Sequence, residues 1–473
     1  MVSWCTIVSW CRTSLDSGGD MSELRQRLAT ELQNIPLIDT HEHFPEERVR
    51  LRSLSDFFSY LHYVECDLTS AGSEPWHVLT QHASFDGRRE EFFAFWPYVQ
   101  HTGYGQALKI MAFDLFGVEA ITPETFETLN RNASMFPREG YYESLLRERA
   151  NIDRVCRIVW SGAPTHCDND LLFPVVQFDH FANVLSRADI RDLENETNMP
   201  IHTLDDLLEA LDESFDARED EGMVGAKIFL AYKRTLFFDA PTTADAERIF
   251  NRATQAHGDT PLGYAEAKPL QDFIVRRIVE QAIERDLPIQ IHTGFQNDNA
   301  NFVENTRPTH LTNLFMTYPA AKFELLHGGW PYTQEFVALA KVFPNVYPDM
   351  AWTYIIGSRM ASRLLDDLLD SVPMNKILGF GGDYNFAEGA YAHARIARRA
   401  IRHVLADRIE RGDMTEDEAL DVARLIMHDN AAKLYGFDTI EEMSSDTDVD
   451  MDDDIDDDED GFVDEAEDDI DDD

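Results

Sequence analysis

Eight short apolar runs recur along the chain, at 37–40, 155–160, 171–178, 223–231, 288–292, 322–327, 346–352 and 376–381. Helical periodicity marks the stretches 140–151, 203–215, 269–285, 333–342, 358–371, 388–411 and 415–429. Strands that alternate with amphipathic helices pair in parallel, because each helix carries the chain back across one face of the sheet. Eight such strands predict an α/β fold of the (β/α)8 barrel type. In that architecture the chemistry sits at the C-terminal ends of the strands.

One long segment breaks the beat. Residues 48–137 are rich in aromatic side chains and carry helix-like patterns at 54–64, 90–99, 106–116 and 123–132, separated by Gly, Ser and Pro. This reads as a helical insertion after the first strand. Its aromatic residues form its own core. Some should also roof the site, because the insertion leaves from the C-terminal end of that strand. The chain of 473 residues is long enough for two or three domains, but one barrel with such an insertion absorbs most of it. The expected organisation is an extension at 1–20 unlike the rest, with Met21 as the start, a barrel over 21–441, and an Asp-rich disordered tail at 442–473. Asp456, Asp458, Asp460, Gly461 and Glu467 fit the positions of a calcium loop. In a mostly Asp segment with no flanking helix such a match is cheap, and a salt-screened tail is the reading.

The formal net charge is −47, and lysine is scarce beside arginine. An acid-rich, lysine-poor surface around an ordinary core resembles proteins of extreme halophiles, in which molar salt screens self-repulsion. Such a surface repels phosphate backbones, so no nucleic-acid partner is expected. No apolar run approaches the roughly 18 residues that span a bilayer, so no membrane partner is expected either. The five cysteines form no C-x-x-C pair. They point to a reducing, cytoplasmic setting without disulfides or a thiolate zinc site.

The strand ends carry the chemistry. The first run closes in His41-Glu42-His43, and residues i and i+2 of a strand share a face. Lys227 lies mid-strand in the fourth run. His292 ends the fifth, His327 the sixth, and Asp383 follows the eighth. Any one of these could be a cap or a solvated end. Together, at the same end of four strands, they make a ligand set of imidazoles and a carboxylate. That set suits Zn²⁺, with Mn²⁺ or Fe²⁺ nearly as good. The segments after the strands offer substrate contacts: Tyr232, Lys233 and Arg234 after the fourth, Gln296 after the fifth, Trp330 after the sixth, Asn385 after the eighth. Lys233 and Arg234 would suit a small carboxylated substrate, or equally could cover acidic surface.

These motifs, with the closing run Met427-His428-Asp429-Asn430-Ala431-Ala432-Lys433-Leu434-Tyr435-Gly436, resemble the amidohydrolase superfamily of metal-dependent barrel enzymes from about 35 to 437. The chain looks closest to the amidohydrolase-related branch, and the early insertion is similar to that of uronate isomerases. The resemblance implies that His41, His43, His292 and Asp383 bind metal, with Asp383 and His327 catalytic. It implies one or two ions per subunit. Lys227, in a run similar to the hydantoinase stretch, would bridge two ions as a carbamate, with His327 on the second. In a mononuclear relative Lys227 would instead pair with Asp383 or touch substrate. The expected reaction is hydrolysis of an amide, lactam or ester-type bond. The alternative is non-hydrolytic chemistry, decarboxylation or sugar-acid isomerisation, on the same metal. Relatives of this kind commonly form homo-oligomers.

Overall fold

The computed structural model describes residues 22–439, apart from 54–55, 137, 161, 164, 166–169 and 259. The expected extension at 1–20, the acidic tail and the calcium-loop match lie outside the described residues. Seven strands form one parallel sheet in chain order: β1 Leu37–Glu42, β2 Ile152–Val159, β3 Leu172–Gln177, β4 Gly225–Ile228, β5 Pro288–Ile291, β6 Lys322–Leu325 and β7 Val346–Pro348. Helices cover the outer faces. Several begin where a Thr or Ser stands three residues before an acid, as at Ser186/Asp189, Thr203/Asp206, Thr242/Asp245 and Thr415/Glu418. Each of these closes a reciprocal cap on the first turn.

The eighth run closes the sheet without becoming a regular strand. It makes a single bridge, Leu378 to Asp349. Beyond it, Trp352 N–H bonds to the Gly381 carbonyl on one side, while Thr40 N–H bonds to Phe380 and Asp383 N–H to His41 on the other. Glycines explain the irregularity. A Cβ on Gly379 would lie 2.5 Å from the Ile426 carbonyl oxygen, and one on Gly381 would lie 2.6 Å from Ala351 Cβ. The segment is squeezed between β7, β1 and the C-terminal helices, and only bare backbone passes.

Between β1 and β2 the chain runs through helices from Glu47–Ser53 to Glu143–Arg149, where the helical insertion was expected. Phe57, Phe58, Phe92 and Phe126 pack as one aromatic cluster inside it. Its helix His62–Ala71 reaches the mouth of the barrel. At the opposite end, Tyr435 from the helix Asn430–Tyr435 packs with Ile38, Cys156, Ile158, Val175 and Leu378. Arg398 fastens that end. Its buried guanidinium donates to the carbonyls of Leu32, Ile35, Ala150 and Asn151, where the chain enters β1 and β2. Among the described residues no helix is long and apolar enough to cross a membrane.

Candidate metal centre

Four of the expected ligands meet at the mouth of the barrel. Asp383 Oδ1 lies 3.4 Å from His41 Nε2 and 3.2 Å from His43 Nε2, and Asp383 Oδ2 lies 3.6 Å from His327 Nδ1. One donor atom each of His41, His327 and Asp383 fall within 4.8 Å of one another. His41 and His43 share a face because they are two apart on β1, and their rings pack edge to face at 4.8 Å. Asp383 arrives from the closing segment with φ 58°, and His327 follows β6 with φ 66°. Non-glycine residues seldom adopt this left-handed backbone, and such strain gathers at functional sites.

The surroundings settle which atoms are free. Gln290 Nε2 lies 2.6 Å from the carbonyl of Thr40, which can only accept, so Gln290 Oε1 is the atom 2.7 Å from His41 Nδ1. His41 therefore carries its proton on Nδ1 and turns a lone pair on Nε2 toward the Asp383 carboxylate. Burial pushes the His41 pKa down to about 3, and the Lys227 cation adds to this. Burial alone would push Asp383 up, but the His41, His43 and His327 imidazoles bring it well below the ordinary carboxylate value. An electron-rich nitrogen and a carboxylate oxygen facing each other in a buried cleft need a cation between them. The donor set fits a divalent metal ion.

His292 is turned differently. Its Nε2 lies 2.8 Å from the Phe295 carbonyl, so that nitrogen holds the proton and Nδ1 accepts from His327 Nε2–H at 3.0 Å. His327 Nδ1 in turn faces two acceptors, the Ala351 carbonyl at 3.2 Å and Asp383 Oδ2. Three contacts need three protons, and two neutral rings carry two. The row is therefore one proton short, and burial, which brings the His327 pKa down to about 4, keeps it so. Both nitrogens of His292 are thus engaged away from the His41–His43 pair. It stands beside the cluster, as the partner of His327.

Lys227 is fully buried, and its Nζ has no hydrogen-bond partner among the described residues. Burial lowers its pKa to about 8, against the pull of Asp383 and Glu324. Tyr232 packs its ring 4.9 Å from His292, and its hydroxyl accepts from Asn297 N–H. Gln296 is buried, with Nε2 on the Ala231 carbonyl and Oε1 unpartnered among the described residues. Trp330 is half-buried; its ring packs on Phe295, which packs on Trp352 beside His327, and its backbone N–H bonds to the His327 carbonyl. Lys233 and Asn385 are exposed. Arg234 is not brought to the site. Its guanidinium is locked to Asp272 at 2.6 Å, Gln271 at 3.2 Å and the Phe237 carbonyl at 2.8 Å. The turn Leu230–Tyr232 after β4 swings it away from the mouth.

Several further groups surround the cluster. Tyr63 of the roof donates to the Asp383 carbonyl and stacks on Trp352 at 4.8 Å. Trp160, at the end of β2, stacks on His43 at 5.5 Å. Beneath the cluster, Asp39, Glu42, Gln290, Glu324 and Asp349 are buried. Asp39 and Gln290 each stand two residues before a site histidine, so the period of a strand was the signal that could have found them.

Residues 203–437 match the amidohydrolase family model. The fluG protein of Emericella nidulans is 33% identical over 230 residues, 46% of this chain and 26% of that protein, so the chain spans about a quarter of that relative's length. A uronate isomerase of Nostoc punctiforme is 23% identical over 392 residues, covering 74% of this chain and 78% of its own. The crystal structure of a uronate isomerase from Thermotoga maritima shares the fold, with a TM-score of 0.73 at 16% identity, covering 87% of this chain and 97% of that one. The family match makes residues 203–437 an amidohydrolase domain, set in a parallel barrel with His41, His43 and Asp383 clustered at its mouth.

Proposed function

We propose that the protein is a metal-dependent hydrolase that cleaves an amide, lactam or ester-type bond of a small, carboxylated molecule. The observation that carries this reading is the position of Asp383, with one carboxylate oxygen toward His41 and His43 and the other toward His327. A divalent ion held by His41, His43 and Asp383, Zn²⁺ by the character of the donors, would polarise a substrate carbonyl and acidify water. Asp383 accepts the proton from the attacking water and returns it to the leaving group. The His327–His292 row, one proton short, holds that proton meanwhile and lets the Asp383 carboxylate reset. Lys227, buried with no hydrogen-bond partner among the described residues, offers a cation to a substrate carboxylate or to the developing oxyanion.

A second reading is sugar-acid isomerisation on the same residues. It is favoured by the likeness to uronate isomerases, which covers 74% of this chain in sequence and 87% in fold. Turnover run in parallel in ¹⁸O-water and in deuterium oxide, followed by mass spectrometry of the product, separates the two. Incorporation of one solvent oxygen is the hydrolytic outcome. Solvent deuterium on carbon with no oxygen gained would sink hydrolysis in favour of isomerisation. Asp383→Asn should lower kcat by about 10²–10⁴-fold in either case. A smaller loss, with metal retained, would remove Asp383 from the proton path.

A further inference from the structure

We propose that Gln290 is a positioning residue that fixes the tautomer and ring plane of His41, and through it the affinity and geometry of the metal centre. This rests on reading His41 as a metal ligand. Gln290 lies on β5, in register with Lys227 of β4 and Glu324 of β6, two residues before His292. Its side chain is completely buried. The two N–H bonds of its amide face three acceptors: the Thr40 carbonyl at 2.6 Å, the Tyr435 hydroxyl at 2.7 Å and Glu324 Oε1 at 3.2 Å. Tyr435 in turn donates to Glu324. The amide nitrogen is therefore anchored from the strand on one side and from the closing helix on the other. Among the described residues its oxygen is left with one partner, His41 Nδ1 at 2.7 Å.

That contact does two things a merely filled core position would not. It keeps the proton on Nδ1, so the lone pair that faces Asp383 is on Nε2. It also makes the imidazole a better donor, because the Nδ1–H is polarised by an acceptor. Had the amide been reversed, two oxygens would meet at the Thr40 carbonyl and His41 would lose its acceptor. The Thr40, Tyr435 and Glu324 contacts exclude that arrangement. The floor of the barrel thus sets the hydrogen-bonding state of a residue at its mouth.

The test uses the full chain and two probes, Zn²⁺ by chelator competition and Co²⁺ by visible absorption. Gln290→Met keeps the length of the side chain and removes the acceptor. It should bind Zn²⁺ about 10–100-fold more weakly and shift the Co²⁺ bands. Gln290→Glu, with its carboxyl protonated on the oxygen that faces the Thr40 carbonyl, keeps an acceptor before His41 Nδ1 and should restore most of the affinity and the wild-type Co²⁺ spectrum. Tyr435→Phe loosens the anchor without touching the His41 contact, so it should lower thermal stability and leave the Co²⁺ spectrum in place. Wild-type affinity and spectrum in Gln290→Met would overturn the proposal. So would a folded Gln290→Glu that binds as weakly as the Met variant, and this arm decides the matter if the Met variant does not fold. A wild-type chain that takes up neither ion would overturn the metal centre itself, a failure distinct from that of Gln290.

Discussion

Glu42 Oε2 accepts the backbone N–H of Tyr384 at 2.6 Å, so the residue between the two clustered histidines of β1 holds the turn that carries Asp383. Asp39 does the same one step earlier, accepting Gly382 N–H at 2.8 Å. Asp383 sits between these clamps, with its own N–H on the His41 carbonyl. Gly382 is required here, since a Cβ would stand 1.7 Å from Glu42 Oε1. Burial, and then the Asp39 charge, push the Glu42 carboxyl well above its ordinary value. Glu42→Gln should therefore change stability by less than about 1 kcal/mol and keep the metal. Glu42→Leu strands the Tyr384 N–H, costs about 1–3 kcal/mol and lowers metal content. Denaturant unfolding and elemental analysis of both variants check this.

Arg234 and Asp272 form a buried ion pair, and Lys233 beside them is exposed. Without Arg234, Asp272 keeps Lys268 and the Asp239 N–H but loses one charged donor, and the Phe237 carbonyl loses its guanidinium donor. Arg234→Met should destabilise the protein by about 1–3 kcal/mol with metal content unchanged. Lys233→Ala should stay within about 0.5 kcal/mol of wild type. Chemical denaturation with parallel metal analysis separates a structural arginine from a ligand-contacting one. Lost metal with unchanged stability in Arg234→Met would contradict the assignment.

Glu65, on the roof helix His62–Ala71, has its pKa raised from 4.5 to about 7 by burial and then by Asp298. A folded-state pKa above the unfolded value means that the folded chain binds the extra proton. That stabilisation is complete below about pH 4.5 and is lost as pH rises through 7. Glu65→Gln should match wild type near pH 4 and exceed it near pH 8, by about 1 kcal/mol after allowance for solvent screening. Thermal unfolding of the two proteins across that range gives the answer. Parallel curves at every pH would rule the carboxyl out as the source.

Acidic residues outnumber basic ones by 88 to 41. Raising salt from 0.1 to 1 M shortens the Debye length from about 10 Å to about 3 Å. If the surface is of the halophilic kind, the melting temperature should climb steadily with KCl over that range and beyond. A flat or falling profile would remove that reading.

Much of the fold was legible because strand and helix periods alternate so regularly. The eighth strand was the exception. Its apolar run was visible, but the crowding that forces Gly379 and Gly381 out of a ladder is a tertiary fact. β4 and β7 also came out shorter than their apolar runs, with Leu230–Tyr232 turning after one and Pro348, which has no N–H, ending the other. The metal-type ligands were legible because each lies at a strand end of the same polarity. His292 shows the limit. Its place on β5 was readable, but the direction of its ring depends on the Phe295 carbonyl, three residues further along the loop. Glu324 and Asp349 were missed for a different reason. A polar residue in a strand usually marks a wet face, yet in a barrel both faces are covered, so such a residue belongs to an interior network.

The bond from the Tyr63 hydroxyl to the Asp383 carbonyl has a consequence for engineering. The helices after β1 look like a detachable module, entering and leaving at neighbouring strands. But one of them grips the main chain of the very residue that completes the metal cluster, and the same tyrosine stacks on Trp352. A graft that swapped this module for another of equal length would therefore reach the heart of the barrel without altering a single side chain there. The module and the ligand turn are one inherited unit, and would have to be transplanted together.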